Sequence, residues 1–198
     1  MNNTKEFWNW FSQNAVKYEE LNVIDAELRD TLLDDFEEHL HKYCEKIYFE
    51  IGGLPGEVNE LIITAEGDVN YFNVVENLIN DAPVISNWLF IPLKPQVKGH
   101  FETKWGDIKL NTENLYFNPS NNSGVGIIVY IPKYNYEYED DYFNGLFKML
   151  DTVLGEKSFA LDVKKVAIKA NDNEFTEQNA IPILKLPAYI NWYKTKGS

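Results

Sequence analysis

The first apolar stripe of the chain has helical spacing. Phe7, Phe11, Ala15 and Tyr18 fall on one face of a helix predicted from about Thr4 to Leu21, with Trp8 and Trp10 widening the stripe and Thr4 or Asn3 as its cap. Asp25 caps a second, longer helix. Leu28, Leu32, Phe36, Leu40 and Tyr43 or Cys44 form its apolar face, and Glu27, Asp30, Asp34, Glu37, Glu38 and Glu45 lie largely opposite. The period then changes to that of strands. Residues 47–51 and 60–65 read as two strands joined by the turn-forming cluster at 52–56, which predicts an antiparallel hairpin.

A helix follows over 70–80, with Phe72, Val75, Leu78 and Ile79 inward, ended by Asp81-Ala82-Pro83. Trp88 to Leu93 is a strand, and Pro92 argues for an edge position or an irregular end. Residues 94–107 lack a period and read as loop. Short strands follow at 108–110 and 115–117, a turn at 118–123, and the most continuous apolar strand at 124–131. The last third predicts a helix over 142–155 with Phe143, Leu146, Phe147, Leu150 and Leu154 as its core stripe. A strand at 163–168 and a short closing helix at 187–193 complete it. Consecutive strands favour α+β over a doubly wound sheet: one domain spanning 1–198, with two N-terminal helices and two further helices on a mostly antiparallel sheet. No internal repeat, flexible linker or low-complexity segment is visible.

Composition narrows the class. The chain has 198 residues, 44% apolar and 25% charged, which suits a globular protein and argues against disordered, collagen-like and membrane proteins. The net charge is −13, from 31 acidic and 18 basic residues, and Arg29 is the one arginine. That argues against nucleic acid, phosphate and anionic membrane as partners, since each needs clustered positive charge. Residues 1–100 hold 18 acids and 7 bases, so most of the negative field belongs to the first half. Cys44 is the single cysteine, no basic leader precedes a long apolar stretch, and no apolar run reaches bilayer length; a reduced, cytoplasmic protein is the simplest expectation.

Candidate chemistry is sparse. No nucleotide-binding loop, nucleophile elbow, zinc-protease helix or CxxC pair is present, and the glycines at 52–56 lack the lysine and the helix that a phosphate cradle needs. His39, His41 and Cys44 lie close together on the second helix. A metal needs ligands converging from one face, so His41 with Glu37 or Glu45 is the geometry to weigh against two ordinary solvated histidines. Cys44 with His41 has the spacing of a thiolate–imidazole pair, but a cysteine on an apolar helix face reads as structural. No catalytic residue, metal or cofactor is assigned.

Two acidic features remain. Asp30, Asp34, Glu37 and Glu38 make the second helix either a docking surface for a cationic protein or a face kept soluble by charge. Tyr134, Tyr136 and Tyr138, interleaved with acids, suit an interface or one face of a strand end. An alternative function needs carboxylates facing across a cleft, as in a small hydrolase or ligand-binding protein. Glu66, Asp68, Asp151 and Glu156 are the candidates.

Several strings together resemble a family of small uncharacterised bacterial proteins, a domain of unknown function. They are Phe7-Trp8-Asn9-Trp10-Phe11, the run from Glu60 to Asp68, Ala82-Pro83 with Trp88 and Lys94-Pro95, the run from Asp151 to Glu156, and Asn191-Trp192-Tyr193. The resemblance spans nearly the whole chain, which implies a single domain, and carries no activity to transfer. The expectation is a non-enzymatic protein-binding domain, in its sharp form an inhibitor or immunity-type partner of a basic protein, with a homodimer as a further alternative.

Overall fold

The computed structural model describes residues 3–53, 56–120, 124–171 and 180–196. The fold is α+β. The chain comprises two compact units, Met1–Lys94 and Pro95–Ser198.

The first unit opens with α1 (Thr4–Asn14), which tightens into a 3-10 turn over Ala15–Tyr18, and α2 (Ala26–Tyr43). Asp25 caps α2 as its short polar side chain suggests, accepting from the Glu27 amide at 2.9 Å. Asn3 makes no side-chain cap. The Thr4 hydroxyl instead donates to Asp81 at 2.6 Å, tying the start of α1 to the end of α3. β1 (Tyr48–Gly52) and β2 (Asn59–Thr64) form the expected antiparallel hairpin; Leu54 and Pro55 of its turn lie outside the described residues. A 3-10 turn at Val69–Tyr71 and α3 (Phe72–Asn80) lead to β3 (Trp88–Pro92), which pairs parallel to β2. The order is β1-β2-β3, so Pro92 sits on an edge strand and leaves no ladder position unfilled.

The second unit opens with a hairpin, β4 (Glu102–Trp105) against β5 (Ile108–Asn111); β4 corrects the loop expected over 94–107. β6 (Tyr116–Ser120) occupies the first half of the turn expected at 118–123, and residues 121–123 lie outside the described residues. β7 (Val125–Ile131) is the central strand, followed by a 3-10 turn at Tyr136–Tyr138, α4 (Glu139–Leu154) and α5 (Glu156–Asp162), a helix the sequence reading lacks. β8 (Val163–Ala170) pairs parallel to β7. β9 (Ile181–Pro182) pairs with β6, and α6 (Leu186–Lys196) closes the unit. The single sheet expected is thus three, though most described pairings are antiparallel.

Both units are built on one motif invisible in the sequence: an antiparallel hairpin, a helical crossover, and a strand returning parallel to the hairpin's second strand. The shared central strand is in each case the most buried, because it has neighbours on both edges. Leu61, Ile63, Ile127 and Val129 are fully buried.

The aromatic content is explained by the first core. Phe36 meets Phe7 and Phe11 edge-on, each at 5.7 Å, Phe11 meets Trp88 at 5.0 Å, and Trp8 meets Phe90 at 4.7 Å. In the second core the α4 stripe is rotated from the one expected. Leu146, Met149, Leu150, Val153 and Leu154 are buried, whereas Phe143 is half-buried and Phe147 is 42% exposed. Gly145 sits where α4 rests on the β4–β5 hairpin, and an added Cβ there would make ordinary contact, 3.5–3.6 Å from Trp105, Ile108 and Leu110. Leu28 is likewise exposed, so the apolar face of α2 begins further along, at Phe36 and Leu40.

Candidate functional site

α2 presents Asp30, Asp34, Glu37 and Glu38 on its exposed side. The spacing explains this, since Phe36, Leu40 and Tyr43 turn inward against α1 and the sheet. Cations answer some of these acids locally. Lys42 holds Glu38 at 2.8 Å and keeps its carboxyl below the usual range, Arg29 lies 3.4 Å from Asp30, and His41 lies 3.9 Å from Glu37. Asp34 has no ion pair among the described residues. The first unit carries 18 acids against 6 bases, a net of −12, and the second a net of −1. The field of the chain therefore emanates from the unit that carries α2.

Beside this face is a cleft of about 200 Å³ between the start of α1 and the end of α2, lined by Asn3, Glu6, Phe7, Trp10, His39, Lys42 and Tyr43. The Trp10 and His39 rings stack at 4.0 Å and 5° from parallel. His39 Nδ1 lies 2.8 Å from the Asp35 carbonyl, which only accepts, so that nitrogen carries the hydrogen. Asp35 Oδ1 lies 3.4 Å from the same nitrogen, and Asp35 Oδ2 accepts from the hydroxyl of Tyr18 at 3.3 Å. Tyr18 has its pKa pushed well up, by burial first and by the Asp35 charge second. Glu6, Trp10 and Lys42 do not stand out as site residues in the sequence, and His39 is weighed there only beside His41 and Cys44; the i, i+4 spacing of Glu6 and Trp10 and the i, i+3 spacing of His39 and Lys42 are visible there, but the meeting of two helices is not.

Tyr134 is 8% exposed and donates to Glu139 at 3.2 Å; burial and that carboxylate push its pKa up to about 12. It is a packing residue, which corrects its place in a binding surface. Tyr136 and Tyr138 are 68% and 55% exposed, but they stand on a 3-10 turn, not on a strand end. Glu66 and Asp68 lie in the turn after β2, where Asp68 accepts from the Asn70 amide and side chain. Asp151 and Glu156 lie at the α4–α5 junction in the other unit, with Glu156 1% exposed. Glu66 and Asp68 thus belong to the first unit and Asp151 and Glu156 to the second.

Cys44 is the C-cap of α2 and half-buried, so it is neither within the helix nor on its apolar face as expected. His41 Nε2 approaches the Ile47 carbonyl at 3.2 Å. Among the described residues no three metal-ligating side chains converge, and no helix is long and apolar enough to cross a membrane. Compared with protein-family models, curated proteins and solved structures, the chain matches none of them.

Proposed function

We propose that this chain is a non-enzymatic protein-binding domain that docks a basic protein on the exposed face of α2, in the manner of an inhibitor or immunity protein acting in the cytoplasm. The observation that carries this reading is the concentration of charge: a net of −12 in one unit, with four exposed carboxylates on one helix. Such a field raises the encounter rate with a cationic partner and loses strength as salt screens it over about 10 Å.

Capture from the source cell's lysate on the immobilised chain, eluted by a salt gradient, tests it. The expected result is a stoichiometric basic protein released by salt. It is lost when Asp30, Asp34, Glu37 and Glu38 become their amides, and retained when Glu20, Glu45, Glu57 and Glu60 do. Both variants change the net charge equally, so only a site on α2 separates them. Equal losses from the two, or a partner indifferent to salt, overturn the proposal.

A further inference from the structure

The charges around the Trp10–His39 cleft are unequally paired. Lys42 is held by Glu38 at 2.8 Å. Glu6, exposed in the first turn of α1, has no side-chain hydrogen bond or ion pair among the described residues. The walls are Phe7, Trp10 and Tyr43, with His39 stacked on Trp10. The Tyr43 hydroxyl donates to the Val74 carbonyl at 3.2 Å and so is committed elsewhere. His39 Nδ1 lies 2.8 Å from the Asp35 carbonyl and 3.4 Å from Asp35 Oδ1, so that edge of the ring is committed to α2. The cleft therefore combines aromatic surface with the carboxylate of Glu6, and its one ammonium is already neutralised.

That chemistry selects a planar cation. A guanidinium stacks on aromatic faces and engages a carboxylate through two parallel hydrogen bonds, whereas an ammonium is a more strongly hydrated point charge. Size selects further. The volume of about 200 Å³ is below the roughly 300–1,000 Å³ of sites for drug-sized ligands, and suits one long side chain.

We propose that the cleft seats an arginine side chain of the docked basic protein, with Glu6 as its carboxylate partner and the Trp10–His39 stack as its wall. This rests on the reading of α2 as a docking face, which it deepens by naming the anchor. Interfaces concentrate their energy in such a pocketed arginine or aromatic, with weaker polar contacts around it. The α2 acids then steer the partner, and the cleft holds it.

The test is a titration of the ¹⁵N-labelled full chain with N-acetyl-arginine amide and with its uncharged counterpart, N-acetyl-citrulline amide. The expected result is a saturable shift of the Trp10 indole and of residues 6, 39 and 42 with arginine only, weakened roughly tenfold in Glu6→Gln. Glu6 is exposed, so a matching thermal melt shows that this variant is folded. No saturable shift, equal shifts with citrulline, shifts centred on residues 30–38, or wild-type affinity in Glu6→Gln overturns the proposal. Partner capture separates the two readings. A partner lost from the α2 amide variant but retained at full affinity by Glu6→Gln overturns the arginine anchor alone. Absence of any partner overturns the docking reading, while the arginine titration still decides the cleft.

Discussion

The ring of His39 lies flat on the ring of Trp10, 4.0 Å away, and joins the exposed side of α2 to the first turns of α1. Trp10 continues inward to Phe36 at 5.7 Å, so the stack links the surface cleft to the core. Replacing His39 by Ala is expected to lower stability by about 1 kcal/mol, and by Phe, which keeps a ring there, by less. Urea denaturation midpoints check the order; equal losses would show that the ring contributes nothing.

Trp8 does for α3 what a capping side chain does. Its indole donates to the Leu78 carbonyl at 2.7 Å, in the last turn, where the Asp81 and Ala82 amides already bond to the Asn77 and Ile79 carbonyls. Trp8→Phe keeps an aromatic ring but leaves that buried carbonyl without its donor. The expected cost is about 2 kcal/mol in denaturant unfolding.

The α2 face sets stability against binding. Asp34 lies one helical turn from both Asp30 and Glu38, so like charges face each other on either side of it. Asp34→Lys turns both contacts attractive and is expected to raise stability by about 0.5–1 kcal/mol while weakening capture of a basic partner. A variant that is both less stable and a better binder would contradict both halves.

Tyr134 gives the second unit an alkaline limit. Its folded pKa, about 12, stands above the value of about 10 in an unfolded chain, so the folded state holds the proton more tightly. The stabilisation is complete below about pH 10 and is lost as pH rises toward the folded value. Urea midpoints taken upward from pH 9 are expected to fall more steeply for the native chain than for Tyr134→Phe.

Gly53 and Gly52 are adjacent and unequal. Gly53 has φ +133, and an added Cβ would lie 2.8 Å from Asn59 Oδ1 and 3.1 Å from Asn59 Cα; at Gly52 it would meet nothing within 4 Å. Gly53→Ala is expected to cost about 1–3 kcal/mol. Gly52→Ala is expected to stay within about 0.5 kcal/mol. Thermal melts of the two variants check the contrast.

Much of this protein is determined by its sequence alone. The Phe7, Phe11, Ala15 and Tyr18 stripe, the Asp25 cap, the hairpin around the glycines at 52–56 and the buried run at 125–131 all follow from rules that act within a few residues. Helical or strand period, a capping oxygen and a glycine turn need no distant partner. The acidic side of α2 was legible for the same reason. What the tertiary structure decided is non-local. The parallel return of β3 and β8 depends on strands separated by a helix, so nothing in either string announces it. Phe147 has the spacing of a core residue, but α4 turns Leu146, Met149, Leu150 and Val153 into the core and leaves Phe147 outside. Tyr134 has the spacing of an exposed row, but the chain turns after Ile131 and buries it beside Glu139. The cleft is the plainest case: Glu6 and Trp10 come from one helix and His39 and Lys42 from another, and only the packing of α1 on α2 makes four unremarkable residues into one site.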